Sequence, residues 1–230
     1  YSSDQRSGVR TLIKNAEKKL TNLEKEIERT EKMKEYEYAY KEYSHICGID
    51  EGGRGPLAGP VVAGAVILPT NCDILYLNDS KQLSEKKREE LYDIIMEKAV
   101  ATGIGYASPQ RIDEINILQA TYEAMRQAIG MLPVRPDLLL NDAVTIPEVP
   151  FQQIPIIKGD AKSISIAAAS IIAKVTRDRL MVQYDQIFPG YGFASNKGYG
   201  SAVHLEALRK YGPTAIHRHS FIRNFMEVED

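Results

Sequence analysis

From residue 46 the chain alternates short, β-branched apolar runs with longer stretches of helical periodicity, which leaves little room for anything but a mixed sheet flanked by helices. HICGID and PVVAGAVILP read as the strands of a hairpin with an unusually long, glycine-rich corner. TGIGYAS, PDLLLND and QQIPIIK read as further strands. SEKKREELYDIIMEKAVA is helical, with Ser84 as its N-cap. RIDEINILQATYEAMRQAIGML is helical too, with Ile112, Ile115, Leu118, Tyr122, Met125 and Ile129 on one stripe. SISIAAASIIAKVTRDRLMVQYDQIF reads as a long buried helix whose alanines and serines permit close approach to a sheet. Short helices around SAVHLEALRKY finish the chain.

Residues 1–45 are of a different kind: highly charged, without proline, and with Gly8 as the only glycine. Val9, Ile13, Ala16, Leu20, Leu23 and Ile27 alternate spacings of four and three, the seam of a short coiled coil, a helical hairpin or one amphipathic helix docked on a core. Ser2, Ser3 and Asp4 are candidate caps for its start. The expected organisation is therefore a helical N-terminal extension over 1–45 and an α/β body over 46–225. The tyrosines at 36, 38, 40 and 43 are expected to pack, with stacking on bases as the alternative. With 230 residues, 43% of them hydrophobic, the chain can bury one sizeable core. No apolar run approaches the roughly 20 residues of a membrane helix, and no secretory h-region opens the sequence, so no membrane partner is expected. A start at Tyr1 suggests trimming or processing. Cys47 and Cys72 have no metal-binding or redox spacing, as expected of a reduced, cytoplasmic protein with inert thiols; a monomer is expected.

The net charge of −2 excludes a uniformly basic nucleic-acid binder, yet residues 157–223 hold ten Lys/Arg against four acids. That gives a local excess of six positive charges. In GIDEGGRGPLAGP, residues 48–60, Asp50 and Glu51 end an apolar strand directly before the glycines. GRGPLA matches the G-x-G-x-x-A dinucleotide pattern, but Pro60 and a β-branched run follow where that motif needs a helix. A plain hairpin corner gives no reason for two acids there, because carboxylates tolerate burial only beside a cation or a hydrogen-bonded partner. A metal site is the better reading. Asp142 and Asp160 repeat the pattern, each placed at the end of an apolar run, and strand ends in an α/β sheet gather at one edge. Asp113 and Glu114 sit inside a helical stripe and read as surface or structural. Asp178 and Asp185 lie near basic residues and read as ion-paired. An all-carboxylate cluster beside a basic C-terminal third points to phosphodiester chemistry with two metal ions.

GIDEGGRGPLAGPVVAGAVIL, NDSKQLSEKKRE, IDEINILQAT, PDLLLNDA, KGDAKSISIAAASIIAKVTRDR, NKGYG and YGPTAIHRHSF together resemble bacterial type 2 ribonuclease H from about residue 46 to 221. The resemblance implies a ribonuclease H-like fold. It also implies cleavage of RNA in RNA–DNA hybrids and of DNA 5′ of embedded ribonucleotides, with two Mg²⁺ or Mn²⁺ ions and 3′-hydroxyl and 5′-phosphate products. Its four catalytic acids fall on Asp50, Glu51, Asp142 and Asp160, with Asp50 the expected bridge between the metals. Its glycine-arginine-glycine element falls on Gly53, Arg54 and Gly55, and its ribose-reading tyrosine on Tyr199. Lys81, Lys158, Lys162, Ser163 and Arg218 are the expected phosphate contacts. Gly52 departs from the alanine or valine common at that position, and Gln82 from a second lysine.

Overall fold

The computed structural model describes residues 6–226. The candidate caps Ser2, Ser3 and Asp4 lie outside the described residues. Among the described residues five strands form one mixed sheet. β1 (Ile46–Gly52), β2 (Val61–Ile67) and β3 (Ala101–Ala107) make an antiparallel meander, so the expected long-cornered hairpin is present. β4 (Leu138–Asp142) and β5 (Gln152–Ile156) run parallel to β1 on its other side, giving the order β3-β2-β1-β4-β5.

The helices are α1 (Ser7–Lys32), α2 (Glu35–Ala39), α3 (Glu85–Lys98), α4 (Pro109–Gly130), α5 (Ile164–Ile187), α6 (Phe193–Asn196), α7 (Ala202–Tyr211) and α8 (His219–Met226). α5 crosses one face of the sheet over β1 and β2. It lies so close that a Cβ on Gly48 or Gly64 would overlap the Ser165 or Ala169 backbone. α4 covers the other face, where Ile112, Ala124 and Met125 meet Ile49, Ala63 and Ala65 in the core. Cys47 is buried in the same core. Among the described residues no helix is long and apolar enough to cross a membrane.

Two elements differ from expectation. α4 is kinked at Asn116, whose φ of 68° is left-handed and whose Oδ1 accepts from the Leu118 and Gln119 amides. Asn116 thus caps a second helical segment, and the kink ends the single stripe: Ile112, Met125 and Ile129 are buried, whereas Leu118 is 39% exposed. The N-terminal segment is one 26-residue helix rather than a hairpin, with Leu20, Leu23 and Ile27 on its exposed side.

The N-terminal segment, before the change of composition near residue 45, is docked on the body. Thr30 and Met33 are buried. The Tyr76 amide donates to Glu26 at 2.7 Å, Arg29 donates to the Leu77 carbonyl at 2.7 Å, and the Ile164 amide donates to the Met33 carbonyl at 3.1 Å. Tyr36, Tyr40 and Tyr43 pack against Leu138, Leu140 and Ile166, while Tyr38 is exposed and bonds Glu31.

Candidate active site

Because β1, β4 and β5 are parallel, their carboxyl ends open on the same edge of the sheet. Ile49 stands opposite Asn141, so the following residues, Asp50 and Asp142, sit side by side. Asp160 enters from the three-ten turn Gly159–Ala161 that leads into α5. One carboxylate oxygen from each of Asp50, Asp142 and Asp160 lies within 4.8 Å of the others. The carboxyls are held by main-chain donors: the Glu51 amide bonds Asp50 and the Gly159 amide bonds Asp142, each at 2.7 Å.

Convergence of acids at a buried edge is electrostatically costly, and their protonation shows it. Burial, then the charges of Glu51 and Asp142, push Asp50 well above the usual carboxylate range. Burial raises Glu51 as well, against the pull of Arg54, whose guanidinium is 3.4 Å away. Asp160 is raised to about 6 by burial and by Asp79 and Asp142. For Lys81 burial lowers the pKa, but Asp50, Asp79, Asp160 and Glu51 outweigh it and the net shift is upward. An oxygen-only donor set carrying several negative charges in so small a space suits a hard divalent cation. The cluster leaves out the decoys. Asp113 accepts from the His219 and Ser220 amides at the start of α8, and Asp178 pairs with Lys174 at 2.7 Å. Asp185, expected to be paired, instead has a buried Oδ1 without a hydrogen-bond partner.

Beside the acids runs the corner of the hairpin. Gly53 has a φ of 90°, and a Cβ there would overlap the Arg177 side chain. The corner is held by two arginines inside the protein. Arg177 donates to the carbonyls of Pro60, Ala58 and Lys197 at 2.8–3.0 Å. Arg218 donates to those of Gly59, Arg54 and Gly53 at 2.9, 2.8 and 2.6 Å. Burial brings Arg177 down to about 10, and burial with Arg177 brings Arg218 down to about 9. Tyr199 is 46% exposed and is no core aromatic. A Cβ on Gly55 would meet its ring at 3.7 Å, so ring and loop are neighbours.

Two expected phosphate contacts need correcting. Arg218 is fully buried, with its guanidinium turned to loop carbonyls. Ser163 is also buried. It caps α5 by accepting from the Ile166 amide, and its hydroxyl donates to Glu37 at 2.6 Å. Lys81, Lys158 and Lys162 are exposed, as is Arg54. Residue reasoning missed Arg177 and Asp79. No local signal sets Arg177 apart, since it sits in the charged stretch KVTRDR beside Lys174, Asp178 and Arg179.

The family model described as Ribonuclease HII matches residues 47–224, and the one described as Ribonuclease HII N-terminal domain matches residues 1–41. The chain is 68% identical over 224 residues to ribonuclease HII of Lachnoclostridium phytofermentans, covering 97% of this chain and 88% of the relative. It is 56% identical over 223 residues to that of Enterococcus faecalis, covering 96% and 87%. Among solved structures, ribonuclease H2 from Pyrococcus horikoshii OT3 superposes with a TM-score of 0.66 at 30% identity, covering 79% of this chain and 96% of that one.

Proposed function

The chain belongs to the ribonuclease HII family and is a ribonuclease H acting on RNA–DNA hybrids with divalent metal; on that premise we propose that it also incises duplex DNA 5′ of single embedded ribonucleotides. The observation that carries this reading is the meeting of Asp50, Asp142 and Asp160 within 4.8 Å at the edge of the sheet, beside an exposed tyrosine and a bare glycine loop. These three acids, with Glu51 beside them, would hold two Mg²⁺ or Mn²⁺ ions. When bound, such ions stabilise the charge of the reacting phosphate and lower the pKa of the attacking water, giving 3′-hydroxyl and 5′-phosphate ends.

The chain's own residues do the positioning. The amides of Glu51 and Gly159 fix the Asp50 and Asp142 carboxyls. Gly53, Arg54 and Gly55 present main chain to the ribose, with Tyr199 on the facing side. A 2′-hydroxyl both donates and accepts, and it is what separates RNA from DNA at this point. Lys81, Lys158 and Lys162 meet the phosphates on either side, which supplies affinity without sequence preference. All four acids come from one chain, so a monomer suffices.

The test is a duplex with one embedded ribonucleotide, incubated with and without Mg²⁺. A single metal-dependent cut 5′ of that residue, with 3′-hydroxyl and 5′-phosphate ends, is expected. Cleavage of all-RNA hybrids with an intact single-ribonucleotide duplex would confine the activity to hybrids.

A further inference from the structure

Behind Tyr199 lie two histidines with no part in the chemistry above. Both are inside the protein, His204 at 0% and His217 at 1% exposure, in an aromatic cluster with Tyr191 and Phe193. Their hydrogen bonds form a directed chain. The Thr214 amide, which can only donate, points at Nδ1 of His217 at 2.8 Å, so that nitrogen carries no proton. The proton of a neutral His217 is then on Nε2, which lies 3.0 Å from Nε2 of His204. That nitrogen accepts, and His204 is left with a proton on Nδ1, 2.8 Å from the Tyr199 carbonyl. Every bond in the series is fixed by the first. Burial keeps both rings neutral, lowering His204 and bringing His217 down to about 4.

The chain ends on the main chain of one half of the ribose site and starts next to the residue that holds the other half. Arg218, the neighbour of His217, bonds the carbonyls of Gly53 and Arg54. The two halves also meet directly, where the Leu57 amide bonds the Gly198 carbonyl at 2.8 Å. Residues 217 and 218 thus grip both sides of the gap between the glycine loop and Tyr199. A purely aromatic plug would have no need of this polarity.

We infer that His204 and His217 are positioning residues for ribonucleotide recognition, setting the Tyr199 main chain, and with it the ring, against Gly53–Gly55 without touching substrate. The inference rests on the reading of Tyr199 as the residue that meets the ribose.

Two substitutions separate this role from simple packing. His204→Asn places an amide N–H where Nδ1–H was and keeps the bond to Tyr199. His204→Gln places its amide near Nε2, keeping a partner for His217 but losing Tyr199. Cleavage of the single-ribonucleotide duplex is measured for both, beside the melting temperature, in the native and Tyr199→Ala backgrounds. His204→Gln should lower kcat/KM about tenfold, the scale of one lost hydrogen bond. His204→Asn should recover most of that loss, and both should be silent once Tyr199 is alanine. Equal losses for the two variants, no loss for either, or losses that persist with Tyr199→Ala overturn the inference. If Tyr199→Ala alone leaves cleavage intact, the ribose reading itself falls. If it lowers cleavage and His204→Gln does not, only the histidine role falls. Should His204→Gln not fold, His217→Gln, which keeps the donor toward His204, is compared with His217→Leu. Native discrimination in the first and its loss in the second support the inference, and equality overturns it.

Discussion

Asp160 shows how a single residue links the site to stability. Its pKa is 3.8 in an unperturbed chain and about 6 in the fold, raised by burial and then by Asp79 and Asp142. Between those values the folded form holds a proton that the unfolded chain has released, so stability falls as pH rises from about 4 to 6. In chelator-treated protein, Asp160→Asn should flatten that part of the curve, and a divalent ion at neutral pH should restore what the native protein loses. Denaturant titrations across the range check it, and an unchanged slope would contradict it.

Gly52 has no positive φ, and a Cβ there would meet Ala173 at 3.7 Å, an ordinary contact. Gly52→Ala should therefore add about 0.4–1 kcal/mol of stability by reducing unfolded-state freedom, with cleavage unchanged or faster. Arg218→Met removes the charge and leaves loop carbonyls without partners. It should lower the melting temperature and cleavage together, while the salt slope of hybrid binding stays the same. A phosphate contact would instead reduce that slope by about one.

The acids were legible in the sequence because a carboxylate ending an apolar strand demands a partner. Arg177 and Arg218 were not, since nothing local to an arginine says which distant carbonyls lack donors. Tyr199 came only from family resemblance, because exposure is set by the fold.

At the scale of elements, the strands were readable because each is short, apolar and bounded by turn residues, and α5 because its small residues face glycines on the sheet. The kink in α4 was hidden because asparagine is unremarkable in a helix until it turns left-handed. The docking of the extension was hidden for a different reason. Its charged composition describes the exposed length of α1, whereas its anchor is a handful of residues from 26 to 43. Glu37 is the clearest of these: one carboxylate oxygen accepts from Ser163 at 2.6 Å and from the Ser165 amide at 3.1 Å, at the start of α5 and directly after the Asp160 turn. Glu37→Ala should cost about 1–3 kcal/mol, leaving those donors unpaired. It should also raise the Mn²⁺ concentration for half-maximal cleavage, because the turn carrying Asp160 loses its clamp. Glu37→Gln, which retains an acceptor, should be milder. Thermal unfolding and Mn²⁺ titration report the two effects, and a normal Mn²⁺ requirement in Glu37→Ala would separate α2 from the site.

Over the whole molecule, affinity and chemistry have separate sources. The basic C-terminal third is not one continuous surface: Arg177 and Arg218 are inside, Lys174 pairs with Asp178, and Arg179 pairs with Glu89. On the reading proposed above, exposed lysines around the edge of the sheet would supply binding, and the carboxylate cluster would supply catalysis. The two should come apart in Asp142→Asn. The decisive measurement is single-turnover cleavage of an RNA–DNA hybrid by this variant in Mg²⁺, beside its dissociation constant for the same hybrid. Cleavage slowed by roughly two orders of magnitude or more with near-native binding is the predicted result. Near-normal cleavage by Asp142→Asn would contradict the account.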